Sequence, residues 1–517
     1  MGVEDSEHVG SPQQRDHVSI LAGTSQNMVG IVVAAAATFA ANILITRTLG
    51  AESFGAVTLL TQGAFVLSFA TRAGMDMAVL RDVAVEVGTG RWGRIRTPVA
   101  RATGIALGVS TLVALVGVFA ADPIRSVLNI GDERGRWAVE AACLGLPFLA
   151  LANVWLSATR GLKIMRYTLY IFWAGQPLTW ILFMVVGWQI SETAWMTALA
   201  YSLSWASAAG AAWWAWHRES SRWPADAMGP GEMSRLLRYA GPRAPAALFS
   251  QLLFWTDLFV LTQFANETEV GIYAAALRAG QVVVLFLTSV SLMFSPFVAD
   301  LHNRGETERL DRLFKSLTRW TLAATIPAFL ILVVAPEPAL RLFGSEFTGG
   351  RVALLLLLAG QFVNVATGSV GFVLIMVGRT GWDLLVYAGS LLVDLVLAFW
   401  LCSRYGMEGA AVANAITFAL SKWARLALVR RFVGIQPYDA AYLRLILPAA
   451  AAAAAMWLVH STLPAEKWLL DLVATALAGT VSFGVVFLTA GLTPGERNGL
   501  KGFLSRLRAK SPPSGAG

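Results

Sequence analysis

Charge is what this chain has least of. Asp, Glu, Lys and Arg make up 14% of its 517 residues, where a soluble globular protein carries about 25%. The hydrophobic set reaches 56% and mean hydropathy is +0.60. That deficit excludes a disordered chain, a fibrous protein and a soluble multidomain enzyme. Cysteine is equally scarce. Cys143 and Cys402 both lie in apolar blocks and give no disulfide framework. The five histidines are nowhere paired at ligand spacing, so neither a metal site nor a cofactor is expected. Long polar connections are missing too, which leaves no room for a folded extramembrane domain. The first eighteen residues lack the basic start of a cleavable signal peptide, so the first span is expected to act as its own insertion signal.

What is present is a succession of apolar blocks. A helix needs roughly 20 apolar residues to cross a bilayer. Blocks of that kind lie near 28–48, 55–76, 98–120, 137–157, 168–188, 193–216, 244–265, 272–298, 318–335, 352–377, 383–402, 408–429, 444–460 and 468–491. The expected fold class is an all-α integral membrane protein of about 14 transmembrane helices. The formal net charge of +8 gathers in the even-numbered connections, with Arg91, Arg94 and Arg96, then Arg218, Arg222, Arg235 and Arg238, then Arg304, Arg309, Arg312 and Lys315. The positive-inside rule puts those loops and both termini in the cytoplasm. Membrane topology accounts for the basic balance, and no nucleic-acid partner is needed.

Sliding the chain against itself reveals an ordered series of matches. Gly55 meets Gly271, Gly90 meets Gly305, Asp122-Pro123 meets Glu337-Pro338, and Gly161 meets Gly378. The run from Ala198 to Ser204 meets the run from Ala415 to Ser421. An internal duplication of six helices predicts two parallel lobes related by an axis along the membrane normal, with a substrate path between them. The organisation then reads as a cytoplasmic segment 1–27, an N-lobe 28–216, a linker 217–242, a C-lobe 243–432, two appended helices in 443–492 and a basic tail 493–517. The tail residues Lys501, Arg506, Arg508 and Lys510 interleave with Phe503 and Leu507, as in an amphipathic helix on an anionic leaflet.

A charge at the centre of a membrane helix costs about 2.5–3.5 kcal/mol on insertion scales, so each one requires a partner or a wet cavity. Arg47, Arg101, Glu140 and Arg243 stand near span ends, where snorkelling explains them. Asp257 and Arg278 occupy similar depths in consecutive helices. They are expected to form an ion pair, either structural or presented to the inter-lobe cavity. Asp394 lies mid-span without a basic neighbour, a candidate for proton or cation coupling or for pairing with another helix. Arg72 and Asp76 are spaced for an i,i+4 pair. Pro147, Pro177, Pro296 and Pro327 are expected to kink spans. Trp137, Trp188, Trp382 and Trp468 suit an interfacial belt.

Arg47-Thr-Leu-Gly50 with Phe54-Gly55, then Val270-Gly-Ile-Tyr-Ala-Ala-Ala276, then Leu342-Phe-Gly344 with Phe347 and Gly360-Gln361 follow one another as they do in a known family. Over residues 20–432 the chain resembles the polysaccharide-exporting branch of the multidrug/oligosaccharidyl-lipid/polysaccharide (MOP) superfamily, which includes the Wzx-type O-antigen flippases. The resemblance implies a two-lobed transporter of a bacterial inner membrane, not an enzyme. Its implied task is flipping an undecaprenyl-pyrophosphate-linked oligosaccharide from the cytoplasmic to the periplasmic leaflet. A diphosphate gives cavity arginines a purpose, because guanidinium forks match phosphate oxygens. Arg278, Arg47 and Arg72 are the expected phosphate contacts, and Gln62, Gln251 and Gln281 the expected sugar contacts. Membrane lipids surround the chain, and a polysaccharide polymerase and glycosyltransferases are the functional partners this implies.

Rivals remain. A MOP-type multidrug or cation antiporter needs cavity acids, and Asp76, Asp257 and Asp394 keep that reading open. A major-facilitator transporter shares six-helix lobes, but Gly90 stands where its loop motif carries an aspartate. A membrane glycosyltransferase or ligase calls for a large external loop, which this sequence does not have.

Overall fold

The computed structural model describes residues 12–131, 134–226, 229, 231–493 and 496–497. Side chains are described from residue 33 onward, apart from 34, 242, 243, 246, 292, 293, 295 and 296. The expected amphipathic tail, the roles of Arg243 and Pro296, and the start of the N-terminal segment therefore lie outside the described residues or side chains.

Among the described residues every regular element is helical. The first half comprises α1 (Pro12–Thr71), α2 (Met75–Gly88), α3 (Arg96–Phe119), α4 (Ala121–Val127), α5 (Gly135–Leu144), α6 (Leu146–Gly161), α7 (Gln176–Trp188) and α8 (Ala194–Ser220). The second half comprises α9 (Glu232–Leu261), α10 (Glu267–Gln281), α11 (Leu285–Asn303), α12 (Thr307–Val334), α13 (Pro336–Leu340), α14 (Arg351–Thr367), α15 (Val370–Met376) and α16 (Thr380–Phe432). Two more helices follow, α17 (Ile446–Thr462) and α18 (Trp468–Val486).

Among the described residues, ten segments are long and apolar enough to cross a membrane, against fourteen expected spans. Two of the ten, in α1 and α16, each contain a pair of expected spans joined without a loop. The remaining difference lies in α8, a long helix with too little apolar character to qualify, and in α9, whose apolar stretch among the described residues is Ala247–Leu261. The joins in α1 and α16 fall at Gly50 (φ 75°) and Gly406 (φ 53°), a backbone region open to glycine but strained for other residues. Each join frees a backbone N–H, and a distant carboxylate takes it. Glu346 accepts from Ala51 N at 2.8 Å and Glu269 from Met407 N at 2.8 Å.

The expected proline kinks resolve differently. Pro147 follows the break at Gly145 between α5 and α6, and Pro177 stands where a π-helical stretch, Thr168–Gly175, passes into α7. Pro327 sits inside a helix, in the interior of α12. Of the belt tryptophans, Trp137 and Trp382 are exposed, but Trp188 is buried and donates its indole N–H to Thr197 Oγ1 at 3.1 Å.

The linker is shorter than 217–242, because α8 runs on to Ser220 and α9 begins at Glu232. What remains is pinned to the first half. Trp223 stacks on Trp92 at 4.6 Å, Arg96 donates to Trp223 O at 3.3 Å, and Thr97 Oγ1 donates to Asp226 O at 2.6 Å. These contacts mark one end of the bundle, called here the basic face. Contacts of residues 47–51 with 341–346, and of 127–131 with 263–267, mark the opposite face.

Gly90 (φ 73°) and Gly305 (φ 72°) both turn the chain through the left-handed region just after a helix ends. The main apolar core joins the two halves, with Phe54, Leu146 and Trp180 in one cluster with Trp255, Tyr273 and Phe347. Phe39 meets Phe343 at 5.1 Å and Phe54 meets Phe347 at 6.1 Å, both edge to face.

Candidate functional site

Arg278 lies in the last turn of α10, just before a short 3-10 segment at 282–284. Its guanidinium sits over the Trp255 ring at 4.8 Å and donates to Gln281 Oε1 at 3.4 Å. Its Nε is buried without an acceptor. Tyr201 of α8, in the other half, is near enough to interact with it electrostatically. A half-buried arginine at the seam between halves, resting on an aromatic face and without a carboxylate, retains its capacity to bind an anion.

The expected Asp257–Arg278 ion pair does not form. Asp257, fully buried, instead accepts from the Tyr273 hydroxyl and from Asn414 Nδ2 at 3.2 Å. The reason is angular. Tyr273 and Arg278 are five residues apart on α10, which turns them about 140° from one another. The face of α10 that reaches Asp257 therefore cannot also carry Arg278.

Asp257 belongs to a second centre inside the second half. Asp394 of α16, also fully buried, lies close enough to Asp257 for their charges to repel, and Thr417 lies beside it. Both carboxylate oxygens of Asp394, Asp257 Oδ1, Asn414 Oδ1 and the Thr417 hydroxyl lack hydrogen-bond partners. Buried oxygens are ordinarily satisfied, and two buried carboxylates cannot both stay charged without a counter-charge. Asp394 thus has an acidic neighbour and no basic one, and the cluster is chemically suited to one proton or one cation held by oxygen. Among the described residues, no group of three or more His, Cys, Asp and Glu gathers as a metal site.

Of the other expected phosphate contacts, Arg72 and Arg47 are engaged by partners of their own. Arg72 and Asp76 are buried and paired at 3.0 Å. Arg72 also donates to Ser68 O at 2.9 Å and Ser68 Oγ at 3.1 Å, and lies 3.9 Å from the Phe69 ring centre. With its guanidinium engaged locally, Arg72 holds the break between α1 and α2 and is not offered to a phosphate. Arg47 is exposed, donating to Leu342 O at 3.1 Å and to Arg341 O, with Trp468 at 5.8 Å. It is a tie between halves. Gln62 and Gln251 are half-buried, and Gln281 already partners Arg278.

Tyr201, Trp255, Tyr273, Asn414 and Thr417 were not singled out from sequence, although signals existed for most. Tyr273 is the tyrosine of the 270–276 signature. Tyr201 and Thr417 fall within the matching runs 198–204 and 415–421.

Two helical halves thus meet at a seam that carries Arg278, with a buried acid pair in the second half. Known structures share this fold. Lipid II flippase MurJ in its inward closed conformation aligns at TM-score 0.69 and 13% identity, over 89% of this chain and 98% of that one. A multidrug resistance MATE family transporter of the MOP superfamily, facing inward, aligns at 0.67 and 13%, over 77% and 94%.

The sequence profile of the family described as polysaccharide biosynthesis protein matches residues 20–302. The chain belongs to that family. The MatE profile matches residues 242–400. Among curated relatives, the probable low-salt glycan biosynthesis flippase Agl15 of Haloferax volcanii is 25% identical over 39% of this chain and 43% of its own length. The probable flippase AglR of the same organism is 24% identical over 47% and 52%. The chain thus spans about half the length of the curated relatives it matches. It is a multi-pass membrane protein, and its relatives and structural neighbours are flippases and transporters, not enzymes.

Proposed function

We propose that the protein flips a lipid-linked oligosaccharide across its membrane, with undecaprenyl pyrophosphate as the carrier lipid and the cytoplasmic to periplasmic leaflet as the direction. The observation that carries this reading is Arg278, an arginine at the seam with aromatic support and no carboxylate. A diphosphate fits a guanidinium fork, and neighbouring Gln281, Trp255 and Tyr201 offer the amide, stacking and hydroxyl groups that sugars require. The flippase names of both curated relatives support the substrate class. In this reading the basic loops and both termini lie in the cytoplasm of a bacterial inner membrane, as the positive-inside rule requires. The duplicated halves are the two lobes, and they rock about the seam while the lipid tail stays in the bilayer.

The Asp257–Asp394 pair supplies the coupling. Binding one proton or one monovalent cation relieves the repulsion between the two acids. α9 and α16 meet there, so the load changes how they pack. The antiporter alternative draws on the same acids and on the MatE match. Arg278 weighs against it, since a cationic drug avoids an unpaired guanidinium.

Deleting the gene separates the two readings. The expected result is loss of a surface polysaccharide, with lipid-linked glycan retained on the cytoplasmic leaflet, ahead of the polymerase and after the glycosyltransferases. Intact surface glycan together with drug hypersensitivity overturns the flippase reading in favour of the antiporter.

A further inference from the structure

The two halves are tied across the face opposite the basic loops by contacts that mirror one another. In the first half Arg47 Nε donates to Leu342 O of the second at 3.1 Å. In the second half Gln263 Nε2 donates to Val127 O of the first at 2.5 Å. Arg47 and Gln263 occupy matching places in the two halves, as do Val127 and Leu342. A carboxylate–amide bond accompanies each tie: Glu346 accepts from Ala51 N at 2.8 Å, and Glu267 accepts from Gly131 N at 2.6 Å. Between the ties the helices cross at the duplicated pair Gly55 and Gly271. A Cβ on Gly271 would stand 1.9 Å from Ala51 O, and one on Gly55 would stand 2.9 Å from Glu267 O. A shallow cleft opens beside the crossing, lined by Leu128 and Asn129 from one half and Thr262, Ala265 and Val270 from the other.

From this geometry we infer that the Glu267 and Glu346 carboxylates are twin latches, which hold this face shut and release together when the halves part. Two features make the contact releasable instead of permanent. Each of the four bonds named above ends on a backbone group at a turn or helix end. Arg47, Gln263 and Glu346 are exposed and Glu267 is half-buried, so water can take over each bond as it opens. The latches also exclude one another's partial states, because closing one brings the crossing glycines together and sets the other in register. This inference rests on the transporter reading, in which the halves move.

The test uses the full chain in native membranes, with Cys143 and Cys402 replaced by alanine and Ala265→Cys as a reporter in the cleft. A membrane-impermeant maleimide is applied to the face away from the basic loops. Glu267→Ala combined with Glu346→Ala is expected to raise the labelling rate at least threefold over the parent, and each single variant by less. Glu337→Ala breaks an ion pair with Arg351 on the same face but within one half, and it is expected to leave the rate unchanged. Labelling of the double variant at the parental rate overturns the latches, and so does an equal rise from Glu337→Ala. The two single variants give the same decision should the double variant fail to accumulate. The measurement requires no glycan, so its failure leaves the substrate reading to the gene deletion.

Discussion

At the scale of single residues, the partners of each buried charge decide what it can do. Arg425 and Asp383 are both buried and paired at 2.8 Å, with the Arg425 guanidinium 3.9 Å from the Tyr387 ring centre. Removing one member strands the other, which costs about 3–5 kcal/mol. Asp383→Ala should therefore lower the thermal unfolding midpoint of the detergent-extracted protein well beyond what Glu337→Ala does at its exposed pair. Arg278 has no such commitment. Arg278→Ala should leave the protein in the membrane at normal levels yet reduce glycan export roughly 10–100-fold, the worth of a charged hydrogen bond of about 1.5–3 kcal/mol. Arg278→Lys should recover only part of it, because an ammonium lacks the planar fork. Export in Arg278→Ala membranes at the parental rate would remove this residue from the binding site. Asp394→Asn removes one of two buried charges, so transport should lose its dependence on an ion gradient, measured as equal rates with and without the gradient.

Sequence reading reached these residues unevenly, and for a physical reason. Lipid forces apolar spans and sparse charges, so Asp257, Arg278 and Asp394 stood out by their cost alone. Depth along a helix followed from counting, and it set Asp257 level with Arg278. Azimuth did not follow from counting. Tyr273, which takes Asp257, and Arg278, which faces Trp255, differ only in the side of α10 they occupy. Arg47 was noticed through its motif, but its acceptors lie almost 300 residues further along the chain, and no local pattern points to them. Residues 232–242 are helical although the sequence suggests a connection, because the first turns of α9 are polar.

Among the elements, close crossings are set by glycine. Gly74 (φ 71°) ends the break after Arg72, and a Cβ there would stand 2.4 Å from Ala240 O of α9. Gly90 has nearly the same left-handed backbone (φ 73°) with nothing within 4 Å of a Cβ. The two positions separate strain from collision. Gly90→Ala should cost only the left-handed penalty of about 1–2 kcal/mol. Gly74→Ala must also push α2 away from α9, and should accumulate less in the membrane and unfold at a clearly lower temperature. Similar losses at both positions would mean that the crossing adjusts freely.

At the scale of the whole molecule, the proposed orientation follows from the distribution of basic residues, and labelling can check it. With the endogenous cysteines replaced, Arg304→Cys should react only with reagent admitted to the cytoplasm, and Ser345→Cys only with reagent outside it. The reverse pattern would invert the proposed topology. The appended pair α17–α18 is held mainly to the second half, where Arg341 donates to Ala465 O at 2.9 Å and Arg319 to Gly491 O at 3.2 Å. Arg319 also pairs with Glu496.

The loopless joins at Gly50 and Gly406 have a consequence during synthesis. The first limb of such a pair is followed by no loop that could rest in water while the second is still being made. In α16 the limbs already touch beside the turn, since a Cβ on Gly409 would stand 2.2 Å from Leu401 O. Each pair must therefore leave the insertion machinery as a single hairpin, with the N–H freed at its turn satisfied from elsewhere in the chain, by Glu346 or Glu269. An epitope tag spliced at 50 or 406 would interrupt biogenesis itself, whereas the basic connections offer places where the growing chain can pause.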